Sequence, residues 1–279
     1  MLTKTPKEIT DQAILDHEPI AIFAGFSGGT DSLAVTHWLF EEYGSSHPVY
    51  AFHANTGIGI EKTREFVRDT CRDYNWPLVE IRAKEDCGQD YDELVKEHGF
   101  PGPDHHRKMY NRLKERCVKK LARDTKQKWS DRIIIATGIR HDESLIRAGY
   151  KGREINRDGS QVWVNPIYYW TGSDKDAYIR EEGLPINPVS ETLGMSGECL
   201  CGAFASKGEK ALVRLIDPEV AERIDSLEKE CLAKGFTWGW EGAPPKGGYN
   251  PDQSFFDFDT TDQPMCVDCN KAGRGKHDY

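Results

Sequence analysis

The stretch Ile20-Ala21-Ile22-Phe23-Ala24-Gly25-Phe26-Ser27-Gly28-Gly29-Thr30-Asp31-Ser32 decides the fold. Its first seven residues read as a buried strand, and the rest as a glycine-rich turn opening a helix. Backbone N–H groups converge on an anion in such a turn. Gly28 and Gly29 permit backbone geometry closed to other residues, and Ser27 and Ser32 add hydroxyls. Asp31, at the helix start, is a candidate holder of Mg²⁺. No Gly-Lys-Ser/Thr follows, so the lysine-containing phosphate loop is excluded. Nucleotide chemistry is the leading expectation, set against a purely structural glycine–serine turn.

Outward from this stretch, short strands alternate with helical segments. The helix 31–43 follows the turn; a strand at 49–54 ends in Asn55-Thr56-Gly57 and precedes a helix over 61–74. Further strands are expected at 77–82 and 132–136, the second nearly all branched residues, as suits an interior parallel strand. An edge strand at 161–166 and a short helix ending at Arg180 follow. The expected fold is α/β, a mainly parallel sheet with helices on both faces, ligand groups gathering beyond the strands' carboxyl ends. Residues 1–185 would form this nucleotide-binding domain. Residues 186–279, rich in Gly, Pro and aromatics around one helix at 217–234, would form a small cysteine-containing appendage.

A chain of 279 residues with 38% apolar content suits a globular enzyme. No apolar run reaches the roughly 20 residues that cross a bilayer, and the start MLTKTPKEIT lacks a secretory segment, so the cytoplasm is expected and no membrane partner. The net charge of −9 opposes a whole-surface affinity for nucleic acid. Locally, residues 104–128 hold ten Lys/Arg against three Asp/Glu, while Met109, Leu113, Cys117 and Leu121 recur every fourth position as one buried helical stripe. The charged faces either contact a polyanion or are offset by acidic neighbours.

The Ser-Gly-Gly-Thr-Asp-Ser loop resembles that of the ATP pyrophosphatase superfamily, whose fold is described as adenine nucleotide alpha hydrolase-like. Asn55-Thr56-Gly57, Arg112-Leu113-Lys114, Thr137-Gly138-Ile139-Arg140 with Glu143-Ser144 and Arg147, Asn165-Pro166 with Trp170, and Asn187-Pro188 before Gly197-Glu198-Cys199 extend the likeness over roughly residues 19–202. Together they resemble the phosphoadenylyl-sulfate reductase-like branch. The resemblance implies ATP with Mg²⁺ at Ser27, Gly28, Gly29, Thr30, Asp31 and Ser32, with Asn55, Thr56 and Gly57 on the adenosine side. It places Gly138 beside the nucleotide and Arg140 and Arg147 on the phosphate side, Asp31, Arg140 and Arg147 being the catalytic candidates. Guanidinium donors suit phosphate oxygens on chemical grounds as well.

Two departures count against sulfonucleotide reduction. The cluster-associated cysteine expected before Leu113-Lys114 is replaced by Met109-Tyr110-Asn111-Arg112, and the Glu-Cys-Gly-x-His nucleophile motif is missing from the end of the sequence. Instead Cys199 and Cys201, and Cys266 and Cys269, form two pairs separated by 64 residues. A four-thiolate site so assembled would hold [4Fe–4S] or zinc, unmetallated buried thiols being the third possibility. The chain in this respect resembles the ATP-pyrophosphatase subunits of DNA phosphorothioation systems. That likeness implies adenylation of a DNA backbone phosphate with release of pyrophosphate, sulfur from a cysteine desulfurase, AMP as the second leaving group, and DNA-modification partner proteins. The segment 107–128 would position the DNA.

Alternatives stay open: a phosphoadenylyl-sulfate or adenylyl-sulfate reductase-like enzyme, a tRNA thiolation enzyme, or a non-catalytic ATP-binding adaptor. Cys117 reads as a buried thiol, and Cys71, Cys87 and Cys231 as structural. His105 and His106 are weighed as phosphate contacts, His53 as a packing residue. Trp238, Trp240, Phe255, Phe256 and Phe258 are set against each other as core or as a stacking surface.

Overall fold

The computed structural model describes residues 4–102, 105–141 and 154–242. Six strands form one sheet in the order β3-β2-β1-β4-β6-β5. They are β1 (Ala21–Gly25), β2 (Val49–Asn55), β3 (Leu78–Arg82), β4 (Ile133–Ala136), β5 (Ile155–Asp158) and β6 (Gln161–Val164). All pairings are parallel except β5 with β6. The chain runs outward from β1 through β2 to β3, then returns to the other side of β1 with β4. The carboxyl ends of β1 and β4 therefore flank the switch point where open α/β sheets bind ligands.

Alternation along the strands assigns the two faces. Ile22, Ala24, Ile134, Ala136, Val162 and Val164 pack with Ile9 and Ala13 of α1 (Pro6–His17) and Val35 and Leu39 of α2 (Thr30–Tyr43). Phe23, Ile133, Ile135 and Trp163 turn the other way. They share a core with Tyr91 and Val95 of α5 (Tyr91–His98) and with the helical run over residues 106–125. Helices thus cover both faces, as the branched strands require. Val67 of α3 (Glu61–Asp73) packs beside Phe26 and Trp76.

The run 106–125 consists of α6 (His106–Tyr110), a π-helical segment at Asn111–Glu115 and α7 (Arg116–Thr125). Met109, Leu113, Cys117 and Leu121 are all buried. A strict spacing of four drifts round a helix of 3.6 residues per turn, and the wider π turn restores the stripe to one side.

The strand at 161–166 is not at the edge. β6 lies between β4 and β5, and β5 takes the edge after a turn at Gly159. Its sequence Ile-Asn-Arg-Asp is mostly exposed and carries no alternating apolar signal. The short helices α4 (Ala83–Cys87), α8 (Gly172–Glu181), α9 (Pro188–Leu193) and α10 (Glu209–Ile216) complete the structure with α11 (Pro218–Ala233). Val189, Leu193, Leu200, Ile224, Leu227 and Trp240 join the same apolar cluster as Phe52 and Ile135, so Trp240 is core. No helix among the described residues is long and apolar enough to cross a membrane.

Candidate functional site

The loop between β1 and α2 closes on itself. The Ser27 N–H donates to Ser32 Oγ (3.2 Å), and the Ser32 hydroxyl donates to the Gly29 carbonyl (2.8 Å). Gly29 is the N-cap of α2 and supplies no side-chain acceptor, which leaves the first-turn N–H groups available to an anion. Lys175 of α8 reaches Thr30 Oγ1 at 3.0 Å and brings a cation to the same helix start.

Gly28 has φ +83°, and a Cβ there would lie 2.9 Å from Thr63 Cγ2 and 3.3 Å from Asn187 Nδ2. The Asn187 amide donates to the Gly28 carbonyl (3.1 Å). A bulkier residue at 28 therefore both strains the backbone and pushes against its brace. Gly28→Ala is expected to lose about 1–2 kcal/mol of stability and most of its affinity for adenine nucleotides. Calorimetric titration of the folded variant checks this, and unchanged affinity would refute the cradle.

Asp31 and Arg140 face each other across the switch point. Arg140 Nε donates to Asp31 Oδ1 at 2.7 Å, with the side chains 9% and 6% exposed. Gly138 is what permits the approach of the β4 loop: a Cβ there would fall 2.7 Å from the Asp31 carbonyl carbon. Thr137 donates its hydroxyl to Asn165 Oδ1, giving the Asn165-Pro166 motif a structural role. His141 is tied to the Tyr168 carbonyl through both its backbone and its ring.

Asn55, Thr56 and Gly57 lie at the carboxyl end of β2. Asn55 donates to Glu80 Oε1 (2.8 Å) and accepts from the Gly57 N–H (3.0 Å). Thr56 is fastened to Glu198: its N–H donates to Glu198 Oε1 (2.8 Å) and its hydroxyl to the Glu198 carbonyl (2.6 Å). Behind it, His53 Nε2 and Arg64 Nε approach Glu198 Oε2 at 3.2 and 3.5 Å, without hydrogen-bond alignment. Burial alone would raise Glu198, but His53 and Arg64 hold its carboxyl below the usual range. Burial would likewise lower His53, and Glu198 raises it instead. His53 is thus buried, as expected of a packing residue, but packed against the carboxylate of Glu198.

Glu198 carries the chain directly to Cys199. The Cys199 thiol is held down to about 6 by a hydrogen bond from Cys201, by Lys114 of the π segment and by His106, against the opposing effects of burial and Glu198. Such surroundings favour the thiolate form. His106 rests against the Phe204 ring at 4.7 Å.

The structure therefore brings together Ser27, Gly28, Gly29, Thr30, Asp31, Ser32, Gly138 and Arg140, and sets Asn55, Thr56 and Gly57 beside Cys199 and Cys201. Arg147, Cys266 and Cys269 lie outside the described residues. Among the described residues, no group of three or more His, Cys, Asp and Glu side chains could hold a metal. Lys175 and the roles of Asn187 and Glu198 were not legible beforehand. Only the helix-start pattern Thr171-Gly172-Ser173-Asp174 pointed toward Lys175, by ordering α8 through its capping box.

A switch-point loop with an open helix start, two cations and a buried ion pair defines an anion-binding α/β domain of the nucleotide-handling kind. The chain belongs to the phosphoadenosine phosphosulfate reductase domain family, matched over residues 21–193. It is similar to the adenosine 5'-phosphosulfate reductase of Rhizobium tropici, 23% identical over 189 residues, covering 67% of this chain and 88% of that protein. The enzyme of the same name from Allochromatium vinosum is 24% identical over 145 residues, covering 51% and 53%. Among solved structures, phosphoadenylyl-sulfate reductase from Candida auris in its phosphate complex shares the fold, with a TM-score of 0.50 at 18% identity over 68% of this chain and 85% of that one.

Proposed function

We propose that this chain is an enzyme acting on an adenylyl-sulfate-type nucleotide, with Cys199 as the attacking thiolate and Cys201 as the thiol that resolves the adduct. The observation that carries the reading is the Thr56–Glu198 fastening, which sets Cys199 one residue from the crevice beside the anion loop. Family membership and two relatives named as adenosine 5'-phosphosulfate reductases support it. Loop 27–32, Arg140 and Lys175 would seat the phosphate and sulfate oxygens. Cys199 attacks the sulfur, the S–O bond to the nucleotide breaks, and AMP leaves. Cys201 then attacks Cys199 Sγ, sulfite departs with the electron pair of the broken bond, and a Cys199–Cys201 disulfide remains for an external dithiol to reduce. Residues 1–185 act as the nucleotide unit and 186–279 as the cysteine-bearing part.

Purified protein with adenylyl sulfate and a dithiol is expected to yield sulfite and AMP, and Cys201→Ser to accumulate a sulfonate on Cys199 detectable by mass. No sulfite from adenylyl sulfate or its 3'-phosphorylated form, in protein shown to bind them, would sink the proposal.

A second reading keeps ATP in the loop with Mg²⁺, adenylates a DNA phosphate and brings sulfur from a cysteine desulfurase. It is favoured by exposed Arg116, Lys119 and Arg123 along one cationic cleft. Its products, AMP with pyrophosphate and a phosphorothioate linkage, separate it cleanly from the first. The four-cysteine site competes for the same sulfur: Cys199 and Cys201 would join Cys266 and Cys269 around [4Fe–4S] or zinc. The two thiols present are chemically suited to either metal, and iron, zinc and acid-labile sulfide contents of anaerobically purified protein decide whether Cys199 is bound.

A further inference from the structure

Away from the anion loop, a second pair of thiols meets at the base of a cationic cleft. Cys87 is the last residue of α4 and Cys117 lies in the first turn of α7; their sulfurs are 4.0 Å apart. Cys117 is fully buried and donates its thiol proton to the Leu113 carbonyl (3.3 Å), so its sulfur is oriented by the π segment. Cys87 is half-buried and lines a cleft of about 740 Å³. Arg112, Arg116, Lys119, Lys120 and Arg123 line the same cleft against two carboxylates, Asp86 and Glu115. Lys119 pairs with Glu115, and Lys120 and Arg123 with Asp124, which lies outside the lining. The balance at the mouth is positive.

We propose that Cys87 and Cys117 form a thiol–disulfide exchange site that takes a small anionic disulfide in this cleft. The inference does not rest on the chemistry assigned to Cys199. The cations draw the carboxylates of the disulfide to the mouth, and Cys87 is the sulfur it meets. Cys87 thiolate attacks one sulfur of the incoming S–S bond, which breaks and releases one small thiol. Cys117 gives up its proton and attacks Cys87 Sγ, releasing the second thiol and closing the protein disulfide. Two electrons pass from the protein pair to the small disulfide, and the reverse sequence returns them. Closure requires the two sulfurs to move from 4.0 Å to about 2.05 Å. The short helix α4 is the element that can supply this movement by turning the Cys87 side chain. Burial raises the Cys87 thiol, as does Asp86, while the hydrogen bond with Cys117, then Lys120 and Arg123, oppose them without reversing the direction. Exchange is therefore expected to quicken as pH rises.

The test incubates the reduced full chain with glutathione disulfide, which is net anionic, and in parallel with uncharged hydroxyethyl disulfide, followed by alkylation and peptide mass mapping. The expected result is a Cys87–Cys117 crosslink forming about tenfold faster with the anionic reagent at low ionic strength, an advantage that salt removes. Cys117→Ser is expected to stop at a mixed disulfide on Cys87. Arg116→Glu with Arg123→Glu abolishes the preference, slowing the anionic reagent far more than the neutral one, whose rate falls only as far as the Cys87 thiolate does. Should Cys117→Ser fail to fold, Cys87→Ser serves instead and leaves Cys117 unmodified by either reagent. Absence of the crosslink in the unaltered chain, or equal rates with both reagents, overturns the proposal.

Discussion

Replacing either member of the Asp31–Arg140 pair with alanine is expected to destabilise the protein by about 3–5 kcal/mol, because it breaks a charge-assisted contact in a site nearly closed to water. The 2.7 Å contact joins the first turn of α2 to the loop after β4 at the switch point. The loss should appear as a lower urea midpoint with little change in slope. Removing both residues should cost less than the sum of the single changes, since each single change already removes their mutual contact. Strictly additive losses would show that the two side chains do not depend on each other. The same variants should bind adenine nucleotides weakly, as Asp31 belongs to the anion loop and Arg140 is its partner.

Cys199 is expected to alkylate with iodoacetamide at neutral pH orders of magnitude faster than Cys71. Burial pushes the Cys71 thiol up to about 12, whereas Cys201, Lys114 and His106 hold Cys199 down to about 6. Rate follows the thiolate fraction. The pH profile of Cys199 labelling, read by peptide mass mapping, should be half-maximal near the lower value. Lys114→Ala should move it upward and Glu198→Gln downward. The sign for stability follows from a folded value below the ordinary 9.0: the contribution is complete above 9.0 and is lost as pH falls through about 6. An alkaline profile like that of a free thiol would remove the basis for Cys199 as nucleophile.

The parallel core was legible because β1, β2 and β4 carry near-continuous apolar residues and end in turn signals. Pattern failed where burial is one-sided or absent. β5 is an exposed edge, so its residues carry no hydrophobic period, and β6 looked terminal only because its neighbour was invisible. Much of the anion loop was legible, since glycine spacing is a local property. The braces were not: Asn187, Glu198 and Lys175 act across distances in sequence that no local pattern reports, and Glu198 reads as one more surface acid until His53 and Arg64 close on it. Cys87 read as unpartnered for the same reason, its neighbour Cys117 lying 30 residues away. Along 104–128 the choice between a polyanion contact and an offset by acidic neighbours stays open, because the acids paired there belong to the segment itself. Glu115 pairs with Lys119 and Asp124 with Lys120, while Arg116 stands at the exposed mouth of the cleft.

The brace from Asn187 to the Gly28 carbonyl has a consequence for how the protein is made. Those residues are 159 positions apart, and the intervening chain includes five of the six strands. A ribosome must therefore release the chain through Asn187 before the loop at Gly28 can be locked in shape. Until then the nascent loop has its glycines and serines but not the contact that fixes them. Ligand present during synthesis favours only the completed arrangement and so pulls the last docking step forward by mass action. Nucleotide supply in the cell would in that way influence how much newly made chain reaches its finished state.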